Sequence, residues 1–497
     1  MAVVIALDAG TTGVRAFAVD ESGTPIGYRY QEFTQHYPRP GWVEHDATEI
    51  WTSVVHVSKE LMAVLDQPVA AIGITDQRET VVAWDRRTGR PRHRAIVWQD
   101  RRTARRCDEL RDSGHLDLVR STTGLVLDPY FSGTKFEWLL TEGAVEADAD
   151  LALGTIDSWL LWNLTGGAAN PDAVHATEPS NASRTMLFDI GAMAWSAELC
   201  DLLGVPMGAL PQVQPSSGRF GITDGSSGLP AGIAVSGIAG DQQAALFGQA
   251  CFEPGMTKNT YGTGSFVLMN IGRTRPEPVE GLLTTVAWQL DDSVAYAYEG
   301  AIFSTGSAVQ WLRDGLGLIT SAEETGPLAE SVPDTGDVFL VPAFTGLGSP
   351  WWDPYARGAL IGLTRGTTRA HIARAVVEAM AFQTRDVVEA MTAASGHDVS
   401  TMRVDGGASA MDLLLQVQAD QLQVTVARPM VQETTALGAA YLAGLAEGVW
   451  SDLDELASHW ALDVEVAPSA SPAAADALHA RWREAVARSR DWEPHQG

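Results

Sequence analysis

The segment VIALDAGTTGVRAFAVDESG, residues 4–23, places a turn of Gly and Thr between two apolar stretches. Residues 3–8 and 14–20 are predicted to be strands, and the turn occupies residues 10–13. An ordinary hairpin closes with two residues such as Asn-Gly, so the longer Gly/Thr turn indicates a binding role. Glycine lets the backbone approach a ligand closely, and a turn rich in N–H groups and hydroxyls suits phosphate oxygens.

A similar hairpin occurs in the second half of the chain. MTKNTYGTGSFVLMNIG, residues 256–272, again has the order strand, Gly/Thr turn, strand, and further strands follow it. Because this unit is repeated among mixed strands and helices, the predicted fold class is α/β with two similarly built halves. The connection between the halves falls near residues 248–255, which predicts domains at 1–250 and 251–497.

Several segments carry apolar residues at helical spacing. The first, residues 46–65, begins at Asp46, which is a good N-cap residue. A strand at 25–34 precedes this helix, and the buried strand AAIGIT follows it. Four more helices are predicted at 301–314, 369–394, 408–420 and 434–447, and an Ala/Arg-rich helix from about residue 472 is expected only to pack.

The composition restricts the class of protein and its partners. A chain of 497 residues is too long for one ordinary core, and its net charge of −28 argues against nucleic acid or an anionic membrane as a partner. The three cysteines are far apart, which fits a reducing compartment and predicts neither a disulfide framework nor a zinc site. A signal peptide and a membrane span are not expected, so a cytoplasmic location is predicted.

Two Gly/Thr turns, one in each half, could hold a polyphosphate from both sides. Asp8 at the mouth of the first turn would then bind the Mg²⁺ that accompanies ATP, directly or through water. The alternative for either turn alone is an ordinary tight turn with Asp8 in a local Asx-type bond. A Walker A loop is excluded, because it needs Gly-Lys before Ser or Thr and none of the three lysines follows a glycine.

The segment SGIAGDQQAALFG, residues 236–248, contains a second candidate for chemistry. An apolar strand ends at Gly240, and Asp241 opens a helix. Asp241 is interpreted either as the N-cap of this helix or as a general base that faces the cleft between the halves, and both roles can coexist. A carboxylate at a helix N-terminus is favoured in its ionised form, so Asp241 could accept the proton of an attacking hydroxyl.

Four polar and aromatic residues in the first half form a third set. Arg78 and Glu79 follow a buried strand, Trp98 lies in AIVWQDRR, and Tyr130 lies in DPYFSGTK. Arg donates, Glu accepts and Tyr does both, so these side chains could hold the hydroxyls of a small polyol against an aromatic face. The alternatives are a structural Arg–Glu pair and a core tryptophan.

These segments resemble the FGGY family of carbohydrate kinases from LDAGTTGVRA to about residue 450. YFSGTKFEWLLTE (130–142) and GALIGLTRGTTRAHIARAVVEA (358–379) fit the two family signatures, and GITDQRET, GDQQAALFGQ, KNTYGTG and WDPYARG are similar to segments of the members that act on glycerol. The resemblance implies two ribonuclease-H-like (actin-like ATPase) domains that close over the substrates at a central cleft. ATP and Mg²⁺ are the expected cofactors, and a homo-oligomer, dimer or tetramer, is expected.

The resemblance also implies roles for individual residues. The nucleotide site comprises Thr11, Thr12, Gly13, Arg15, Thr263, Gly306, Gln310 and Gly407. The polyol site comprises Arg78, Glu79, Tyr130, Asp241 and Gln242, with Trp98 and Phe266 against the carbon edge, and Asp241 is the expected base. The sequence departs from the family at Ala9, at Asp76 in place of the usual Asn, and at Met411, where an Asn commonly lies near the adenine.

Together these features predict ATP-dependent phosphorylation of a terminal hydroxyl of glycerol. Another polyol or sugar, such as a tetritol or a ketopentose, is an open alternative because sequence does not show the shape of the pocket. An actin-like ATPase with a protein partner is a second alternative, in which Asp241 orients water and the polyol residues need not converge. A sugar sensor without activity would be expected to have lost Asp241 or the threonines, which are present.

Overall fold

A computed structural model describes residues 2–493 of the chain. Within these residues the main sheet has 13 strands. In chain order they are β1 (Val3–Ala9), β2 (Gly13–Asp20), β3 (Pro25–Glu32), β4 (Val69–Asp76), β5 (Ser217–Ile222), β6 (Ala234–Gly240), β7 (Thr257–Tyr261), β8 (Ser265–Gly272), β9 (Leu283–Leu290), β10 (Ser293–Ile302), β11 (Thr401–Asp405), β12 (Thr425–Pro429) and β13 (Leu462–Val466). The strands predicted around both Gly/Thr turns are therefore confirmed.

The strand order shows the same unit twice. In the first half the order is β3-β2-β1-β4-β6, with antiparallel pairing among β1 to β3 and parallel pairing beyond them. In the second half the order is β10-β8-β7-β11-β12, with the same alternation of antiparallel and parallel pairs. The two units are joined where β5 pairs with β9, at Ser217 and Leu290. The predicted internal repeat is confirmed.

Ten α-helices of eight or more residues lie within residues 2–493. They are α1 (Ala47–Met62), α2 (Ala104–Asp112), α3 (Leu116–Thr123), α4 (Ser132–Thr141), α5 (Ile156–Leu164), α6 (Asp241–Gly248), α7 (Arg369–Ser395), α8 (Asp412–Leu422), α9 (Thr434–Ala446) and α10 (Pro472–Ser489). Asp46 caps α1 as predicted, since its carboxylate accepts from the Thr48 and Glu49 amides. Among residues 2–493 no helix is both long and apolar enough to cross a membrane.

The helix predicted at 301–314 begins later than predicted and is not a regular α-helix throughout. Strand β10 continues to Ile302, and only Gly306–Gln310 forms an α-helix, followed by a π-helical turn at Trp311–Gly315. The helix begins at Gly306 with a close approach to the second Gly/Thr turn, since an added Cβ would lie 2.5 Å from the Gly262 carbonyl oxygen. Glycine at this position lets the helix start directly against the turn.

The two halves pack through helices α6 and α9. A Cβ on Gly438 of α9 would lie 1.9 Å from the Ala244 carbonyl oxygen of α6, and one on Gly248 would lie 2.0 Å from the Thr434 oxygen. The backbones of the two helices are therefore in direct contact where the halves meet. Helix α6 ends at Gly248 and β7 begins at Thr257, so the predicted boundary lies in this connection, and the division into domains 1–250 and 251–497 stays a prediction.

Candidate active site

The first Gly/Thr turn is held from behind by side chains. The Gln77 side-chain amide donates to the Gly10 carbonyl at 2.9 Å, and the Gln35 amide donates to the Thr11 carbonyl at 2.9 Å. Within the described residues, the backbone N–H groups of Thr11 and Thr12 have no acceptor. The turn therefore presents free donors on its open side, the arrangement that suits an anionic oxygen.

The second turn, residues 262–264, is held by the start of the short helix at Gly306–Gln310. The Thr305 and Ser307 amides donate to the Thr263 carbonyl at 3.1 and 2.9 Å, and the Gly306 amide donates to the Gly262 carbonyl at 3.1 Å. A cavity of about 590 Å³ opens beside this turn. It is lined by all four predicted nucleotide residues of the second half, Thr263, Gly306, Gln310 and Gly407, and by Met411.

The predicted polyol residues converge around Arg78. Its Nη2 donates to the Tyr130 hydroxyl at 3.3 Å, and its Nε lies 3.2 Å from the Asp241 carboxylate and 3.9 Å from that of Glu79. The Phe266 ring, from the second half of the chain, lies 5.6 Å from the guanidinium carbon. Arg78 and Glu79 are therefore more than an isolated structural ion pair, because Arg78 also contacts the Phe266 ring and the Asp241 carboxylate.

Trp98 connects this set to the first turn. Its indole N–H donates to the Thr11 hydroxyl at 2.9 Å, and its ring meets the Tyr130 ring edge to face at 5.6 Å between centroids. Trp98 is only partly buried, so it is not an ordinary core tryptophan. The predicted polyol residues are thus connected to the first Gly/Thr turn by direct side-chain contacts.

Four buried charges form a closed arrangement that the sequence did not reveal. Glu299 accepts from Arg78 at 2.5 and 3.0 Å and from Arg184 at 3.0 Å, and Arg184 also donates to Glu79 at 2.6 Å. Burial raises the pKa of Glu299, but Arg184 and Arg78 outweigh it, and the net pKa lies below the usual range. Arg184 lies in no motif, whereas Glu299 interrupts the apolar strand VAYAYEGAI, which was the one available signal.

Asp241 is not the N-cap of helix α6, so that interpretation was wrong. Gly240 occupies the cap position, and Asp241 is the first helical residue, with its carboxylate accepting from the Gln242 amide at 2.7 Å. A Cβ on Gly240 would lie 2.6 Å from the Arg78 side chain, which explains why glycine is required there. Burial raises the pKa of Asp241, while Arg78 and then Lys258 favour its ionised form.

Asp8 lies opposite Arg15 in the first hairpin. Burial raises the pKa of Asp8 to about 6, Arg15 opposes this, and the nearby charge of Asp241 adds to it. Across residues 2–493 no group of three or more His, Cys, Asp or Glu side chains is placed to hold a metal ion. A single carboxylate nevertheless fits Mg²⁺, because this ion is commonly held by one or two carboxylates together with substrate phosphates.

Two side-chain contacts near this site join the two halves of the chain. Gln242, which follows Asp241, accepts at 2.6 Å from Lys258 of β7, the strand that leads into the second turn. Arg15 of the first hairpin forms an ion pair with Glu433, the residue before helix α9. These contacts join the first hairpin and the start of helix α6 to the second half of the chain, and a single cleft bordered by both turns stays a prediction.

A buried carboxyl–amide pair, Asp76 and Asn181, lies next to this site. Asp76 accepts from the Asn181 side-chain amide at 3.0 Å, and the other oxygens of this pair, Asp76 Oδ2 and Asn181 Oδ1, are both buried without a hydrogen-bond partner among the described residues. Burial, and then the charge of Asp157, raises the pKa of Asp76 well above its usual range. A protonated Asp76 could donate to Asn181 and satisfy both oxygens.

The substitution Asp76→Asn should stabilise the protein more at high pH than at low pH. An unfolded Asp has a pKa of about 3.9, and the pKa of Asp76 in the folded protein is higher. Wild-type stability therefore falls as the pH rises from about 3.9 to the raised pKa of Asp76, by up to about 1.4 kcal/mol per pH unit. Asn carries no charge and avoids this loss. Urea unfolding of both proteins between pH 5 and 8 measures it, with the exposed Asp172→Asn as a control. A stability difference that does not grow with pH would contradict a protonated Asp76.

The sequence and the fold both match known proteins. The model of the FGGY family of carbohydrate kinases, N-terminal domain, matches residues 3–248, and the model of its C-terminal domain matches residues 257–447. The chain belongs to the FGGY family of carbohydrate kinases, as the motifs predicted, and it is a kinase.

Within this family the chain is similar to glycerol kinases. Glycerol kinase 2 of Thermotoga maritima is 55% identical over 99% of this chain and 100% of its own length. The glycerol kinase of Dechloromonas aromatica is 55% identical over 98% of both chains. The crystal structure of Plasmodium falciparum glycerol kinase with ADP matches with a TM-score of 0.91 and 33% identity, over 98% of each chain. The predicted two-domain, actin-like ATPase fold is confirmed.

Proposed function

We propose that the protein transfers the γ-phosphoryl group of ATP to a terminal hydroxyl of glycerol, giving sn-glycerol 3-phosphate and ADP. The observation that carries this proposal is the convergence of Arg78, Trp98, Tyr130 and Asp241 beside the first Gly/Thr turn. An ATPase with a protein partner has no need for such a set. The similarity to glycerol kinases over nearly the whole chain supports glycerol as the acceptor.

In the proposed reaction the polyol lies between Arg78 and Tyr130 on the polar side and Trp98 and Phe266 on the apolar side. Asp241 accepts the proton of the terminal hydroxyl of the polyol, and the oxygen of that hydroxyl attacks the γ-phosphorus. Phosphoryl transfer has a loose transition state, so positioning and charge stabilisation do most of the work. Closing the cleft also keeps water from replacing the polyol as nucleophile.

The nucleotide is proposed to lie in the cavity beside the second turn, with its phosphates directed toward the first. Thr11, Thr12 and Gly13 contribute donors from the first half together with the charge of Arg15, and Thr263 contributes from the second half. Gln310 and Gly407 border this cavity and are proposed to contact the nucleoside. Asp8 is the residue that would hold Mg²⁺, and the ion would supply charge neutralisation at the phosphates.

The remaining parts of the proposal concern location and assembly. A cytoplasmic location is consistent with Cys107, Cys200 and Cys251, which are free and buried. A homo-oligomer, the division into domains 1–250 and 251–497, and the use of Mg²⁺ stay predictions. Size-exclusion chromatography with light scattering tests the oligomeric state, and the metal dependence of the rate tests the use of Mg²⁺.

A coupled ADP-release assay tests the proposed function. The acceptors are glycerol, erythritol, threitol, dihydroxyacetone, xylulose and xylitol, with an acceptor-free reaction as the baseline. We expect the highest kcat/KM with glycerol: dihydroxyacetone lacks the central hydroxyl donor that a hydrogen-bonding site matches, and the four- and five-carbon acceptors carry additional groups that the site must accommodate. Equal kcat/KM values for glycerol and the other acceptors would refute the choice of glycerol, and acceptor-independent ADP release would favour an ATPase.

A further inference from the structure

Lys258 is a buried cation that crosses the cleft, and the residue roles given above do not include it. It is fully buried on β7 and is one of the three lysines in the chain. Its ammonium group donates to the Gln242 side-chain oxygen at 2.6 Å and to the Thr260 hydroxyl at 2.8 Å. Gln242 belongs to helix α6 in the first half, so the contact connects the second phosphate-type turn with the proposed polyol site.

This contact determines which end of the Gln242 amide faces the cleft. A carboxamide has one accepting oxygen and one donating NH₂ group, and its orientation follows from its hydrogen-bond partners. An ammonium group only donates, so the oxygen of Gln242 must face Lys258. Within residues 2–493 the Gln242 NH₂ group has no acceptor, and it is therefore available to a bound ligand next to Asp241.

We propose that Lys258 is a positioning residue for the polyol, which acts by orienting Gln242 so that its NH₂ group donates to a polyol hydroxyl beside Asp241. Asp241 accepts from the hydroxyl that is phosphorylated, and Gln242 donates to an oxygen of the same polyol. The two neighbouring side chains then distinguish donor from acceptor positions on the substrate. This inference rests on the proposed function.

The charges around Lys258 keep its ammonium group available as a donor. Burial lowers the pKa of Lys258 to about 8, and the carboxylates of Asp405, Asp241 and Glu299 oppose this effect, while Arg78 adds to it. The group is therefore mostly protonated at pH 7. Its contact with Gln242 joins the two halves of the chain, so the orientation of the amide depends on a residue of the second half.

The variant Lys258→Met tests this inference directly. Without the ammonium group the Gln242 amide can rotate, so we expect the KM for the polyol to rise about 3- to 10-fold, the value of one neutral hydrogen bond. The KM for ATP should stay within twofold of the wild-type value. Lys59→Met, at an exposed lysine on helix α1, is the control and should match the wild type. An unchanged polyol KM, or equal rises in both KM values, would overturn the inference.

A second variant keeps the test informative if Lys258→Met does not fold. Gln242→Glu retains a partner for Lys258 but replaces the NH₂ donor by an oxygen, so the fold should persist while the polyol KM rises at least as much. A polyol KM equal to the wild-type value in this variant would overturn the inference. In the double variant with Gln242→Ala, Lys258→Met should add no further rise in polyol KM, whereas additive effects would show that Lys258 acts independently of Gln242.

The failure of the inference can be told apart from failure of the proposed function. All variants are measured with the polyol that gives the wild type its highest kcat/KM. A different preferred polyol would correct the proposed substrate and leave the role of Lys258 intact. Wild-type enzyme that phosphorylates none of the polyols would overturn both conclusions, and normal wild-type activity with unchanged variants would overturn the role of Lys258 alone.

Discussion

The substitution Asp241→Asn should lower kcat by about 10²- to 10⁴-fold while the protein remains folded, because a general base contributes about this factor. Asn has nearly the same shape and can still accept a hydrogen bond from Arg78, whose Nε lies 3.2 Å from the carboxylate in the wild type. Asn cannot accept the proton of the attacking hydroxyl. Steady-state rates at saturating ATP and polyol measure the loss, and thermal unfolding checks the fold.

The pH dependence gives a separate test of the same role. A base must be ionised to act, so wild-type kcat/KM should fall as the pH drops through the pKa of Asp241. Burial raises this pKa, and Arg78 and Lys258 oppose the rise. In Asp241→Asn the acidic decrease due to this group should disappear. Activity within tenfold of the wild type, with the same acidic decrease, would show that Asp241 is not the base.

Replacing Arg78 by Met should have the largest effect on stability, a loss of about 3–5 kcal/mol, because it breaks a buried ion pair and leaves its partner without compensation. Glu299 would keep only Arg184, and Asp241 would lose its nearest cation. Polyol binding should also be lost, because Arg78 is the proposed donor to its hydroxyls. Urea unfolding measures the stability, and Arg105→Met serves as the control, because the Arg105–Glu109 pair is highly exposed and should contribute little.

The sign of the pH effect distinguishes this mechanism from a simple packing defect. In the wild type the pKa of Glu299 lies below its usual range, so its stabilising contribution is present at neutral pH and is lost as pH falls through that lowered pKa. In Arg78→Met the pKa of Glu299 should rise, and the loss of stability should be larger at pH 7.5 than at pH 5. A loss that is the same at both values would indicate a packing defect instead.

The parts of the fold that depend on local sequence patterns were predictable. Both hairpins follow from alternating apolar strands around Gly/Thr turns, and helix α1 follows from its periodicity and the cap at Asp46. The joining of the two sheets at Ser217 and Leu290 has no local signal. The prediction started a helix at residue 301, whereas strand β10 continues to Ile302 and the helix begins at Gly306. The close approach of Gly306 to Gly262 also has no local signal, because it depends on a distant turn.

In the candidate site, too, residues in local motifs were predictable and partners distant in sequence were not. Residue types in motifs identified Arg78, Trp98, Tyr130 and Asp241, and the structure brings them together. The buried partners were missed because they are far away in sequence: Glu299 lies 221 residues from Arg78, and Arg184 lies 105 residues from Glu79. The N-cap role of Asp241 failed by one position, because the helix begins at Asp241 and Gly240 is the cap residue. Glycine at position 240 leaves room for the Arg78 side chain, a tertiary contact that a local rule does not include.

The central claim is that two backbone turns, one from each half, bind one triphosphate beside Asp241. A crystal structure of the protein with glycerol, Mg²⁺ and a non-hydrolysable ATP analogue tests it most directly. We expect phosphate oxygens on the amides of residues 11–13 and on Thr263, with a terminal glycerol hydroxyl about 2.6–3.2 Å from the Asp241 carboxylate. Phosphates held by one turn alone, or a hydroxyl that points away from Asp241, would contradict it.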